Sequence, residues 1–266
     1  MSNFSKTPNI ANLFGESLVG RRLAVLYQAG MQVPIEIPLQ DTEGQPIQIP
    51  DQHSVHYRIY ESLVPNIILD DQQATVQNGI ATFTPTPDAV DYAGIYTIEL
   101  SIVNTEQKPV WVREYWLYNE PTTYAVNAAA ALPKIDRIRL LIRDSTAAEN
   151  EILGTHQFSI EEIAEAAVSA VRFFNETPPI IASYTTRNFP FQKLWLSGIL
   201  AYLYDTAVKW HAKVSLPYSA GGVQSDELNR TQVFAAFAQQ KMQEFYRDVM
   251  IHKTRLHLAS GWARIG

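Results

Sequence analysis

The chain has 266 residues, 46% of them apolar and 18% charged, with a formal net charge of −6. That balance excludes disorder on compositional grounds and gives no general reason to expect nucleic-acid binding. There is no cysteine, which removes disulfides, thiolate metal sites, iron–sulfur clusters and a cysteine nucleophile.

In chain order, residues 1–19 read as an N-terminal arm, and Met1–Gly15 lacks the basic segment and apolar run of a signal peptide. From 20 to 120 the pattern is that of strands. Leu23–Tyr27, His56–Tyr60, Gly79–Phe83 and Ile95–Leu100 are rich in β-branched and aromatic residues, and turn chemistry at Thr42-Glu43-Gly44, Asn78-Gly79 and Thr84–Pro87 separates them. A last strand, Val110–Tyr118, sets Val110, Val112, Glu114 and Trp116 on one face and Trp111, Arg113, Tyr115 and Leu117 on the other. Short strands at this density predict an antiparallel β-sandwich. Asp91-Tyr92-Ala93-Gly94-Ile95-Tyr96 resembles the corner of immunoglobulin-like domains, in which a tyrosine hydroxyl ties back to nearby backbone.

Residues 121–133, with Ala128–Ala131, form the expected linker, and 134–266 the helical domain. Ile135, Ile138, Leu141 and Ile142 share one helical face, with Lys134, Arg137 and Arg139 mostly off it. Ser159 and Glu162 form a capping box, Phe158 can staple against Ile163, and the stripe Ile163, Ala166, Ala167, Ala170, Val171 and Phe174 follows. Pro190 opens the next helix, expected to run to Val214; its apolar stretch Leu194–Tyr204 is about half the roughly 20 residues that span a bilayer. Pro217–Gly222 breaks it, and a long final helix runs from Ser225 or Asp226 to about His257 with an irregular tail. Its expected packing stripe is Phe234, Phe237, Lys241, Phe245, Val249 and His252.

No catalytic signature emerges. His53 and His56 point to opposite faces of a strand, and His252 and His257 are poorly spaced to share a metal. Gly221-Gly222 lacks the lysine and strand of a phosphate loop, and Glu161-Glu162 sit where carboxylates complement a helix dipole. No metal ligand, cofactor site or catalytic residue is assigned. Two features ask for a partner. The loop Asn175–Pro190 carries Thr177, Pro178, Pro179, Tyr184, Arg187 and Phe189, and is read either as an interface or as packed over its own domain. The basic C-terminal segment adds Lys253, Arg255 and Arg264, read either as meeting an acidic neighbour or passing DNA or as a solvated helix face.

The order of motifs carries a resemblance. Arg139–Asp144 is followed by Glu149 and Ser159–Glu162; Phe174–Pro179 by Phe189-Pro190 and Leu196–Leu200; and Leu216–Gly222 leads into the last helix. In this order they resemble the head-to-tail connector and neck (adaptor) proteins of tailed bacteriophages, over about half the chain. The β half is similar in style to immunoglobulin-like domains on phage neck and baseplate proteins. The resemblance implies an α+β two-domain structural protein without catalytic activity. It would form a homo-oligomeric ring of about twelve copies in the virion neck, made in the host cytoplasm. Its partners would be the portal protein, other neck or tail proteins, and genomic DNA passing through the channel without sequence-specific binding; no membrane is involved. The alternative is a tail or baseplate component using the β domain for protein or host-surface contacts, through an aromatic such as Trp111 or Tyr115. A third reading is a hydrolase using His211 and Asp205, which lie six apart on a helix.

Overall fold

A computed structural model describes residues 23–41, 44–122, 132–144, 156–180, 183–214, 219–220, 223–224 and 227–262, with side chains between 211 and 231 and from 260 onward left aside. The arm 1–19, linker residues 123–131, Glu149, the motif residues Leu216–Tyr218 and Gly221-Gly222, the helix-start residues Ser225 and Asp226, and Arg264 lie outside the described residues. The chain divides into two units, Met1–Val126 and Asn127–Gly266.

The first unit contains β1 (Leu23–Gln28), β2 (Ile35–Pro38), β3 (Ser54–Glu61), β4 (Val64–Gln77), β5 (Ile80–Phe83), a one-turn helix α1 (Pro87–Val90), β6 (Gly94–Val103) and β7 (Pro109–Glu120). They form one seven-stranded sheet in the order β1-β7-β6-β3-β4-β5-β2. The sheet is mixed rather than antiparallel, because β1 enters beside β7 and runs parallel to it, with Leu23 opposite Tyr115. Period-two alternation builds the core: Val55, Tyr57 and Ile59 of β3 are buried inward while His56, Arg58 and Tyr60 face out. Inward residues of all seven strands join one hydrophobic cluster, so the sheet curls around a single core.

β4 makes the curl. It pairs with β3 up to Ala74 and with β5 from Thr75, so its two ends serve different neighbours in the sheet. The hairpin to β5 closes on Asn78 and Gly79, both at positive φ (52° and 75°), the two-residue turn whose twist matches its strands. Buried Asp70 of β4 accepts hydrogen bonds from the Tyr57 hydroxyl at 3.0 Å and the Thr86 amide at 2.8 Å, pinning the chain as it leaves β5. At the start of β6 the Tyr96 hydroxyl, buried, donates to the Tyr92 carbonyl at 2.6 Å, the tie-back expected of that motif.

The second unit contains α2 (Ile135–Ile142), α3 (Ile160–Glu176), α4 (Gln192–Val214), a two-residue-per-strand hairpin β8–β9 (Ser219–Ala220, Val223–Gln224) and α5 (Glu227–Trp262). The capping box at Ser159 and Glu162 is formed in both directions, and the whole expected stripe of α3 is buried. Two expected boundaries shift: Pro190 precedes α4 rather than opening it, and α5 continues past His257. Gly198 of α4 lies between Ala170 of α3 and Phe245 of α5. An added Cβ there would stand 2.7 Å from both the Ala170 Cβ and the Phe245 ring. No helix among the described residues is long and apolar enough to cross a membrane.

Candidate functional site

Several side chains that the sequence reading placed outward are instead taken up inside the second unit. Arg139 and Leu141 exchange their expected places: Arg139 is buried and Leu141 exposed. Arg139 donates through Nη1 to Asp144 Oδ2 at 2.7 Å and to the Phe158 carbonyl at 2.9 Å. Asp144 in turn accepts from the amides of Gln157 at 2.7 Å and Phe158 at 3.2 Å. The pair thus clasps the end of α2 to the start of α3, and a buried charge of either sign is tolerated there only because the other answers it. Burial pulls the Arg139 guanidinium below its ordinary pKa, and Asp144 opposes that pull.

The long loop after α3 is held the same way. Asn175 and Tyr184 close its two ends, Asn175 Nδ2 donating to the Tyr184 carbonyl at 2.7 Å and the Tyr184 amide donating back to Asn175 Oδ1 at 2.9 Å. Under the loop, Phe174, Tyr184, Phe189 and Phe191 meet mostly edge to face, with centroids 5.2–5.8 Å apart. Trp195 joins from α4, its indole donating to the Ala167 carbonyl at 2.9 Å.

Lys253 completes this anchor, and here the sequence expectation is overturned. It is 1% exposed, not a solvated cation of an interface face. Its ammonium lies 4.6 Å from the centre of the Phe174 ring and donates to the carbonyls of Pro179 at 3.3 Å and Asn175 at 3.5 Å. The Pro178–Pro179 bond beside it is cis. Among the described residues no carboxylate pairs with it, and burial lowers its pKa. The reason is periodic: Phe245, Val249 and Lys253 are spaced by four and form the buried stripe of α5, so Lys253 takes the place expected for His252. Phe237, also expected in that stripe, is half exposed.

The other expected interface residues divide. Thr177 and Phe189 are buried and unavailable to a partner; Thr177 caps α3 by donating to the Phe173 carbonyl. Pro179, Tyr184 and Arg187 are half-buried, and Arg255 and Pro178 are exposed. The most prominent member of the loop was not named by the sequence reading: Ile180 is 77% exposed. The signal was its place between two prolines and a second isoleucine in an otherwise polar loop. Tyr115, offered as an exposed aromatic, is buried, and Trp111 packs against the core of the first unit. Asp205 is paired with Lys209 at 2.6 Å.

Two clefts remain. One, in the first unit, has about 380 Å³ and is lined by Gly30, Met31, Gln32, Pro87, Val90 and Asp91, a single carboxylate with no base or nucleophile beside it. The other, in the second unit, has about 320 Å³; Ile142, Phe158, Tyr204, Val233 and Phe237 give it an apolar lining. Among the described residues no group of three or more histidine and carboxylate side chains is placed to hold a metal ion.

No family model matches the chain, and neither does any curated protein. Among solved structures it is similar to a red sea bream transglutaminase at 10% identity and a TM-score of 0.31, over 68% of this chain and 28% of that one. This chain therefore spans less than a third of that protein's length, and so slight a likeness carries neither fold nor activity across.

Proposed function

We propose that the chain is a non-catalytic structural protein of a tailed phage, a ring-forming component of the neck that joins the portal to the tail around the DNA channel. The observation that carries this reading is a division of labour among side chains. Arg139, Asp144 and Lys253 are spent on internal anchoring, while large apolar groups stand in solvent on the second unit: Ile180 at 77%, Leu140 at 66%, Leu258 at 56% and Val233 at 55%. These side chains are free to be covered by neighbouring proteins, as a ring subunit in contact on several sides requires. The motif order of the helical half supplies the resemblance to connectors.

For the first unit we propose an immunoglobulin-like sandwich. Its support is the strand order, with first and last strands parallel and β2 and β5 in the opposing layer, together with the Tyr96 corner. A second reading, a tail or baseplate component, draws on apolar residues facing solvent in this unit, Val110 at 56% and Ile68 at 54%. Adding purified full-length chain to portal-bearing heads that lack a neck separates the two. The neck reading expects stable attachment and a ring beneath the portal in electron micrographs. Folded chain that leaves the heads bare and binds isolated tails instead overturns it.

A further inference from the structure

We propose that Asn78, at the tip of the β4–β5 hairpin, is a site of spontaneous deamidation, its side-chain amide lost to attack by the Gly79 nitrogen. The modification goes beyond the neck reading and does not rest on it.

Asn78 is placed for that chemistry as no other described asparagine is. It is exposed, and among the described residues no hydrogen bond holds its side-chain amide. It is also the only asparagine of the sequence followed by glycine. The other described asparagines are tied or screened. Asn104 Oδ1 accepts from the amides of Glu106 and Lys108, both at 3.0 Å. Asn119 donates to the carbonyls of Val90 and Tyr92, each at 2.8 Å. Asn175 exchanges two hydrogen bonds with Tyr184, and Asn188 Oδ1 accepts from the Thr185 amide at 2.7 Å. Asn66 is exposed, but the nitrogen that would attack it belongs to β-branched Ile67, whose side chain crowds the approach.

The attacking group is equally accessible. Gly79 lies between the two strands, and its carbonyl accepts from the Leu39 amide at 2.8 Å, while its own N–H donates to no described residue. A Cβ built on Gly79 would meet nothing within 4 Å, so a new ring forms in open space. Both turn residues sit at positive φ, 52° and 75°, and glycine's freedom lets the peptide between them rotate toward the Asn78 side chain.

The reaction consumes only water. The Gly79 amide gives its proton to solvent base, and its nitrogen bonds to Asn78 Cγ. The Cγ–Nδ2 bond breaks and Nδ2, taking a proton from solvent, leaves as ammonia. Water then opens the cyclic imide at one of its two carbonyl carbons. Opening at Cγ gives aspartate in an ordinary backbone. Opening at the backbone carbonyl of residue 78 sends the chain through the side chain, as isoaspartate, one methylene longer.

The turn gives that methylene a consequence. Two residues close the hairpin and set Gln77 opposite Ile80 and Val76 opposite Ala81. β5 in turn pairs with the edge strand β2, Ile80 facing Pro38 and Phe83 facing Ile35. Buried Ala81, Phe83, Ile35, Ile37 and Leu39 depend on that register. A lengthened turn cannot keep its twist match and the Gly79–Leu39 bond together. Isoaspartate at 78 therefore loosens β5 and β2, whereas aspartate adds a negative charge at an exposed tip and leaves the register intact.

The test ages the purified full-length chain in mildly alkaline buffer, below its unfolding temperature, and maps its peptides by mass spectrometry. Asn78 is expected to change from amide to acid before any other asparagine, faster as pH rises, with isoaspartate exceeding aspartate. Hydrogen exchange at Leu39 and Ile80–Phe83 is expected to quicken by at least about tenfold in the isoaspartate fraction. It is expected to stay at the natural rate in Asn78→Asp and in aged Asn78→Gly, a substitution that suits positive φ and removes the reacting amide. Another asparagine converting first, or conversion at 78 only after unfolding in urea, overturns the site. Unchanged exchange in the isoaspartate fraction overturns its coupling to β5 and β2. Neither readout involves portal or tail, so the neck reading stands or falls separately.

Discussion

Replacing Lys253 separates what its stem does from what its charge does. The residue is 1% exposed, so its four methylenes are core. Lys253→Ala keeps Cβ and removes the other three, at about 0.8 kcal/mol each, and leaves a cavity under the loop, for a loss of about 3–5 kcal/mol. Lys253→Met keeps most of the stem and discards the ammonium. The charge gains two long carbonyl contacts, 3.3 and 3.5 Å, and a ring face, but it is desolvated without a carboxylate partner among the described residues. Its lowered pKa indicates that desolvation wins. Lys253→Met is therefore expected within about 1 kcal/mol of the natural chain, measured by urea unfolding of the full chain. The pH dependence gives a second reading of the same balance. Between the depressed folded pKa and the unfolded value near 10.4, the unfolded chain binds a proton the folded chain lacks, so the natural chain gains stability relative to Lys253→Met as pH rises through that window. Tyr115, pushed up to about 12 by burial, loses stability above pH ~10 in both proteins alike and cancels in the difference. A methionine variant as unstable as the alanine variant refutes the reasoning and makes the ammonium–carbonyl contacts the true anchor.

Asp144→Ala strands the Arg139 guanidinium and frees the amides of Gln157 and Phe158, and is expected to cost about 3–5 kcal/mol in urea unfolding, with the loss centred on the helical unit. Tyr96→Phe deletes one buried hydroxyl and its bond to the Tyr92 carbonyl; calorimetry of the full chain should show about 1–1.5 kcal/mol lost. Gly198→Ala raises helix propensity by about 1 kcal/mol yet drives a methyl to 2.7 Å from Ala170 and Phe245, so a net loss of about 1–3 kcal/mol is expected by thermal unfolding.

Legibility in the sequence followed how local each signal was. The capping box at Ser159, the Asn78-Gly79 hairpin and the Tyr96 corner are fixed by neighbours a few residues apart, and each is found where its residues stand. β4 was not legible, because Asp70-Asp71-Gln72-Gln73 reads as loop; it forms because β3 offers a partner and because Asp70 has buried donors waiting. The parallel pairing of β1 with β7 joins strands far apart in sequence, which no local pattern encodes. The two buried cations were misplaced for one reason. Arg139 follows Ile138 at four residues from Ile135, and Lys253 lies four from Val249, so both occupy core stripes by period. Charge alone argued them outward. At the candidate site, residue type singled out the loop, and its most exposed large apolar side chain is Ile180, which lies outside the residues so chosen.

Self-assembly tests the ring-forming reading most directly. Mass photometry of the purified full-length chain is expected to show a closed oligomer of about twelve copies, the number the connector resemblance implies. A mass that stays at the 30.0 kDa of one chain at every concentration contradicts it.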